Sequence, residues 1–132
     1  MKKDITTAED IRLLVNSFYE KVRMDPVIGF LFDDVAHVDW DRHLPVMYAF
    51  WENLLFMSGG YSGNPMTAHM KLHGQYPLTK FHFDRWYELF KAAVDEHFEG
   101  EVAERARQRA LSISTIMQIR IIGVVNPEAP QK

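Results

Sequence analysis

The sequence predicts an all-α fold in a single domain, and three observations carry that expectation. Apolar residues recur at helical spacing along most of the chain, as in Ile11, Val15, Phe18 or Tyr19 and Val22. No run alternates with period two for long enough to argue a strand. The 132 residues, 47% of them hydrophobic, suffice for one core and are too few for two.

Each helix has its own punctuation. Thr6-Thr7-Ala8-Glu9 reads as a capping box pairing Thr6 with Glu9, and the helix it opens should run to about Arg23, where Met24-Asp25-Pro26 breaks it. Val27 to Phe32 is short and apolar, which predicts one helical turn delivering Phe30, Leu31 and Phe32 inward. Asp33 to His37 then reads as a polar corner. Asp39 is placed to cap a helix from Trp40 to about Met57, with Pro45 early enough to bend it locally. Its inner stripe is His43, Met47, Phe50 or Trp51, and Leu54. Gly59 and Gly60 end that helix. Asn64 can cap, and Pro65 can occupy the first position of, a short helix carrying His69 and closed by Gly74-Gln75-Tyr76-Pro77. Thr79 caps the next helix, whose buried side is Phe83, Trp86, Phe90, Val94 and His97, and Gly100 stops it. The last helix, from about Glu101 to Ile121, should bury Val102, Ala106, Ala110, Ile113 and Met117, with charged residues on its other faces. The domain is expected over residues 1–125, with 126–132 a disordered polar tail.

Composition removes several classes of function. A net charge of −3 and a pI near 6.0 give no basic excess for a phosphate backbone, so nucleic acid is not an expected partner. No apolar run reaches the roughly 18 residues that span a bilayer, and no apolar stretch follows Lys2-Lys3 to make a secretory signal. Without cysteine there is no disulfide, thiolate nucleophile or cysteine metal site. A cytoplasmic protein without a membrane partner is the expectation.

The chemistry centres on His69. An imidazole aimed from a rigid helix start, with aromatic segments before and after it, suits the single axial ligand of a haem iron. Its second ring nitrogen would donate to a backbone carbonyl and set the tautomer. Lacking cysteine, the chain would hold the haem without covalent attachment, as haem b. Phe32, Met47, Trp51, Leu54, Leu72 and Phe83 supply a flat apolar slot, and His73 and His82 could meet the propionates at its edge. Tyr19, His43 and Trp86 bring polar atoms into the same greasy space. A buried donor without a partner costs about 1–3 kcal/mol, and the partly negative outer atom of a bound dioxygen would be the acceptor. One charge-assisted hydrogen bond, about 1.5–3 kcal/mol, slows ligand escape about tenfold to a hundredfold. The plainer readings make Tyr19 and Trp86 core aromatics with polar tips, His43 a solvent-facing histidine at a helix start, and His37 and His97 solvated. His69 and His73 also have the spacing of two zinc ligands, but no third ligand lies near them in sequence.

Tyr61, Gly63, Pro65, His69 and Leu72, in the pattern Tyr-x-Gly-x-Pro-x-x-x-His-x-x-Leu, resemble the proximal signature of the truncated haemoglobins. With Phe18-Tyr19 upstream and Phe83-Asp84-Arg85-Trp86 downstream, the chain is similar to the third group of that family over residues 8–121. The resemblance implies a two-over-two helical sandwich around a haem. It implies His69 as proximal ligand, Tyr19 and Trp86 as the distal hydrogen-bonding pair, His43 as distal histidine and Phe32 as the haem wedge. Met47 departs from the aliphatic residue usual at its position. The expected function is binding of dioxygen and other diatomic ligands, with tight retention. Oxygen storage or transport, peroxidase-like chemistry or nitric oxide dioxygenation could follow. Turnover would need an external reductase, because the chain has no nucleotide-binding glycine motif. A monomer or weak homodimer is expected. The rival readings are a cofactor-free helical interaction module and a haem-based sensor acting through a partner chain.

Overall fold

Asp10 decides where the first helix begins. In this computed structural model, which describes residues 2–57 and 72–122, helix α1 spans Ala8–Met24, with Thr7 as N-cap and Asp10 completing the capping box. The expected pairing of Thr6 with Glu9 is one residue out of register. One Asp10 oxygen accepts from the Thr6 and Thr7 backbone N–H groups, the Thr6 hydroxyl and the Lys3 ammonium, whereas Glu9 is exposed. Burial alone would raise the Asp10 carboxyl, but Lys3 and those N–H groups outweigh it and hold it at about 2. The helix buries Ile11, Leu14, Val15, Phe18, Tyr19 and Val22.

A second carboxylate fixes the segment that follows. The Asp25 side chain, 1% exposed, accepts from the Val27 and Ile28 N–H groups at 2.9 and 3.0 Å. It also accepts from Arg85 Nε at 2.8 Å. Burial opposes its ionisation, yet Arg85 and the two N–H groups prevail and hold its carboxyl below the ordinary aspartate value. At Gly29 the chain passes so close to α1 that a Cβ would stand 2.8 Å from the Val22 carbonyl oxygen. The single turn expected over Val27 to Phe32 therefore arrives differently, as a turn at 26–28 followed by a π-helix, Leu31–Val35. Its wider turns are visible in the 2.8 Å bond from the Ala36 N–H to the Leu31 carbonyl. Asp33 and Asp34 consequently lie in helical backbone, not in a polar corner.

Helix α2 spans Trp40–Phe56 with Pro45 inside it, close to the expected extent, although the Asp39 side chain makes no capping bond. Only Trp51 and Leu55 on it are fully buried, while His43, Met47, Phe50 and Leu54 are half-buried. Residues 58–71, on which the expectations for Gly59, Gly60, Asn64, Pro65 and His69 fall, lie outside the described residues, as does the 126–132 tail. The chain is helical again at 72–75.

Helix α3 is Lys80–His97, with Phe83, Leu89, Phe90, Ala93 and Val94 buried and Trp86 and His97 half-buried. His97 is not simply solvated, since its Nε2 lies 3.2 Å from the Ser17 hydroxyl. Helix α4, Glu101–Met117, is capped from the other end of the sequence. Gly100 at its N-cap has φ 135° and no side chain to offer, so the Asp4 carboxylate accepts from the Val102 and Ala103 N–H groups at 2.9 and 2.8 Å. A Cβ on Gly100 would stand 2.5 Å from Asp4 Cγ. The buried face of α4 is Ala103, Ala106, Ala110, Ser114 and Met117. The expected Val102 and Ile113 are half-buried flankers, because the small side chains let α3 approach and the Ser114 hydroxyl donates to the Phe83 carbonyl at 3.3 Å. Leu111, Ile116 and Ile119 are exposed, so the outer faces are not all charged as expected. A π-helix, Gln118–Ile122, ends the element.

Helix α1 packs on α2 and α3, and α3 packs on α4, which makes the two-over-two sandwich expected of the sequence. Phe18 joins the layers, its ring edge-on to Phe90 at 5.3 Å. No helix among the described residues is long and apolar enough to cross a membrane.

Asp10 and Asp25 both ionise more readily folded than unfolded, so their stabilisation is complete above about pH 4 and is lost as the pH falls through their lowered folded values, which for Asp10 is about 2. Replacing Asp25 by alanine strands the Val27 and Ile28 N–H groups and should cost about 1–3 kcal/mol in urea unfolding at neutral pH. The acid limb of the stability curve should also flatten. A variant that loses stability with acid as steeply as the parent would contradict this assignment.

Candidate functional site

Two polar side chains from different helices meet inside an aromatic enclosure. Tyr19, late in α1 and 5% exposed, brings its hydroxyl to 3.2 Å from Nε2 of His43, one turn into α2. Around the phenol ring stand Phe18 at 4.7 Å, Trp40 at 5.2 Å, His43 at 5.3 Å and Phe32 at 6.0 Å between centroids. Burial raises the phenol above the ordinary tyrosine value, so Tyr19 remains a neutral O–H group at physiological pH.

The histidine tautomer decides what that hydroxyl can do. With the proton on His43 Nε2, the imidazole donates to the Tyr19 oxygen and leaves the phenolic O–H for a third group. With the proton on Nδ1, the phenol donates to Nε2 and has no hydrogen left to offer. The pair is thus a donor whose availability is set by the second member.

Trp86 stands on α3, across Phe18 from the tyrosine. Its ring is edge-on to Phe18 at 5.7 Å, and it is half-buried. Its indole N–H has no hydrogen-bond acceptor among the described residues. Phe18 therefore works as the spacer between the tyrosine and the indole. Of the apolar residues expected to line the slot, Phe32, Met47, Leu54 and Leu72 are half-buried against the core. Trp51 and Phe83 are buried outright, Trp51 stacking on Phe90 at 4.5 Å and 20°. His69 falls outside the described residues.

His73 and His82 share one hydrogen-bond habit. His73 Nδ1 accepts from the Leu78 N–H at 2.8 Å, and His82 Nδ1 accepts from the Thr79 N–H at 2.9 Å. Each neutral ring then carries its proton on Nε2. Burial lowers His82 below the ordinary histidine value, which keeps that ring neutral.

The residue that sequence reasoning missed is Trp40, which touches Tyr19, His43 and Phe32. Its position three residues before His43 on one helix was the available signal, since that spacing shares a face. A cleft of about 690 Å³ lies elsewhere, between the end of α2 and α4, lined by Asn53, Leu54, Leu55, Met57, Arg105 and Arg109. It shares only Leu54 with the residues above.

Comparison with known proteins agrees with this architecture. A family model for bacterial-like globins matches residues 3–120. Group 3 truncated hemoglobin ctb of Campylobacter jejuni is 30% identical over 121 residues, covering 89% of this chain and 93% of that protein. The crystal structure of group III truncated hemoglobin from Campylobacter jejuni superposes with a TM-score of 0.81 at 27% identity, over 99% of this chain and 100% of that one.

The stacked burial of Trp51 makes it a support of the core. Trp51→Ala should lower the unfolding free energy by about 3–5 kcal/mol. Urea titration checks this, and a loss under 1 kcal/mol would place the ring at a surface.

Proposed function

Because the chain belongs to the bacterial-like globins, as a truncated haemoglobin of the third group, we propose that it holds diatomic ligands tightly at a histidine-ligated haem b, over which Tyr19, His43 and Trp86 supply hydrogen bonds. Globin membership itself implies a haem and the binding of small diatomic ligands. The observation that carries the finer reading is the 3.2 Å contact between the Tyr19 hydroxyl and His43 inside an aromatic enclosure.

The side chains present fit a haem. Along α2, Leu44, Met47, Phe50 and Leu54 form a half-buried apolar stripe, and the Tyr19–His43 pair and the Trp86 indole offer N–H and O–H groups beside apolar surface. When bound, the haem would supply an iron able to bind a diatomic ligand and to exchange electrons. His69 would hold it, on the strength of its sequence motif. Phe32, Met47, Leu54, Leu72 and Phe83 would line the slot, with Trp51 backing it from the core. The Nε2–H groups of His73 and His82 suit the carboxylates at the porphyrin edge.

Within the distal set the roles divide. His43 in its Nε2–H form orients Tyr19, Tyr19 donates to the ligand, and Trp86 donates from the opposite helix layer. Each charge-assisted bond contributes about 1.5–3 kcal/mol. Retention of that strength suits peroxide or nitric oxide chemistry with an external reductase better than carriage of oxygen that must unload.

Reconstituted protein should show a Soret band that shifts on reduction and again with carbon monoxide, and His69→Ala should bind haem more weakly and lose the parent's ferrous spectrum. Tyr19→Phe and Trp86→Leu should each speed dioxygen dissociation about tenfold to a hundredfold. Rates equal to the parent's in both variants would refute the donor assignment.

A further inference from the structure

We propose that Trp40 is a positioning residue for the Tyr19–His43 pair, held by Asp33 and Arg23 as a latch over the solvent side of the distal space. The inference rests on the distal reading of Tyr19 and His43 and extends it to how ligands enter.

Three elements converge on this indole. Its Nε1–H donates to Asp33 Oδ1 at 2.8 Å, from α2 to the π-helix. The other Asp33 oxygen lies 3.6 Å from Arg23 Nε, at the end of α1. The Arg23 guanidinium also covers the indole face, 4.8 Å from the ring centroid. Asp33 thus uses one oxygen on each neighbour, and the cation and the carboxylate hold the same ring. On its inner side that ring stands edge-on to Tyr19 at 5.2 Å and to His43 at 5.7 Å, and it stacks on Phe32 at 5.9 Å and 22°.

The consequence is mechanical. His43 is bounded by the phenol on one side and the indole on another. Turning the imidazole away from Tyr19 requires the indole to move, and the indole moves only when its bond to Asp33 opens. Arg23 and Asp33 are half exposed, at 50% and 37%, so solvent competes for the latch and its opening is a frequent event, not a global unfolding. Ligand entry is thereby tied to a hydrogen bond that does not itself touch the ligand.

The test uses haem-loaded protein. After flash photolysis, carbon monoxide should associate about threefold to tenfold faster in Asp33→Ala and in Trp40→Phe, which keeps the ring and loses the N–H. Asp33→Asn, whose amide oxygen can still accept, should stay near the parent. By NMR of the carbon monoxide form, the Trp40 indole N–H should exchange with solvent at least several times faster in Asp33→Ala than in the parent or in Asp33→Asn. Unchanged association in both opened variants overturns the latch, as does an Asp33→Asn as fast as Asp33→Ala, which would put the effect on charge alone. If Asp33→Ala does not fold, Trp40→Phe carries the same comparison. Altered dioxygen dissociation in Tyr19→Phe beside unaltered association here would sink this proposal and leave the distal reading standing. Absence of any Soret band in the parent would remove both.

Discussion

Burying a phenolic hydroxyl where α1 crosses α2 obliges the second helix to bring a polar partner, and much of the molecule is arranged around meeting that need. Tyr19 cannot leave the crossing, because its neighbours Phe18 and Val22 on α1 are themselves core residues. An unpartnered hydroxyl there would cost about 1–3 kcal/mol, and His43 prevents it at 3.2 Å. The contact fixes the register of α2 against α1 near its first turn, while Trp51, stacked on Phe90, ties α2 to α3 two turns later. Between those anchors the apolar side chains of α2 are only partly covered. The same constraint that satisfies the phenol therefore leaves an apolar stripe beside a donor.

The frame around that crossing is held by carboxylates that gather backbone N–H groups and cations. Asp4 caps α4 from 98 residues away, Asp10 gathers the chain entering α1, and Asp25 joins the turn before the π-helix to Arg85 on α3. Each is ionised against its own burial because several N–H groups or a cation converge on it. Asp25 matters most to the site, since it anchors the turn that leads to Phe32 and Asp33, and Arg85 sits next to Trp86.

What the sequence made legible was whatever periodicity encodes locally. The helices of α1 to α4 fall within a few residues of their expected bounds, Thr79 starts α3, and Tyr19 and His43 belong to inner faces as their spacing implied. One miss is local: Thr6 and Thr7 are equally good caps by type, and the donors converging on Asp10 choose between them. The others are non-local. Gly100 marks a stop in any reading, yet its left-handed φ serves an Asp4 that no local window contains. The expected Val102 and Ile113 gave way to Ala103 and Ser114 because the distance between α3 and α4, not side-chain hydropathy, decides which face closes. Trp40 looked like the first residue of a helix, a position usually exposed, and its role depends on Asp33 and Arg23 arriving from two other elements.

Tight retention and easy entry would ordinarily conflict, since any group that blocks departure also blocks arrival. In the proposed distal site the two would be assigned to different bonds. The phenol and the indole of Trp86 would act only on a ligand already in place, lowering the dissociation rate without raising the barrier to entry. The bond between Trp40 and Asp33 would act on passage, without touching the ligand. His43 stands at the junction, 3.2 Å from the Tyr19 hydroxyl through Nε2 and edge-on to the Trp40 indole. A change at His43 should disturb both processes together, whereas changes at Asp33 or Trp86 should separate them, which is what distinguishes a coupled distal site from a row of independent aromatic contacts.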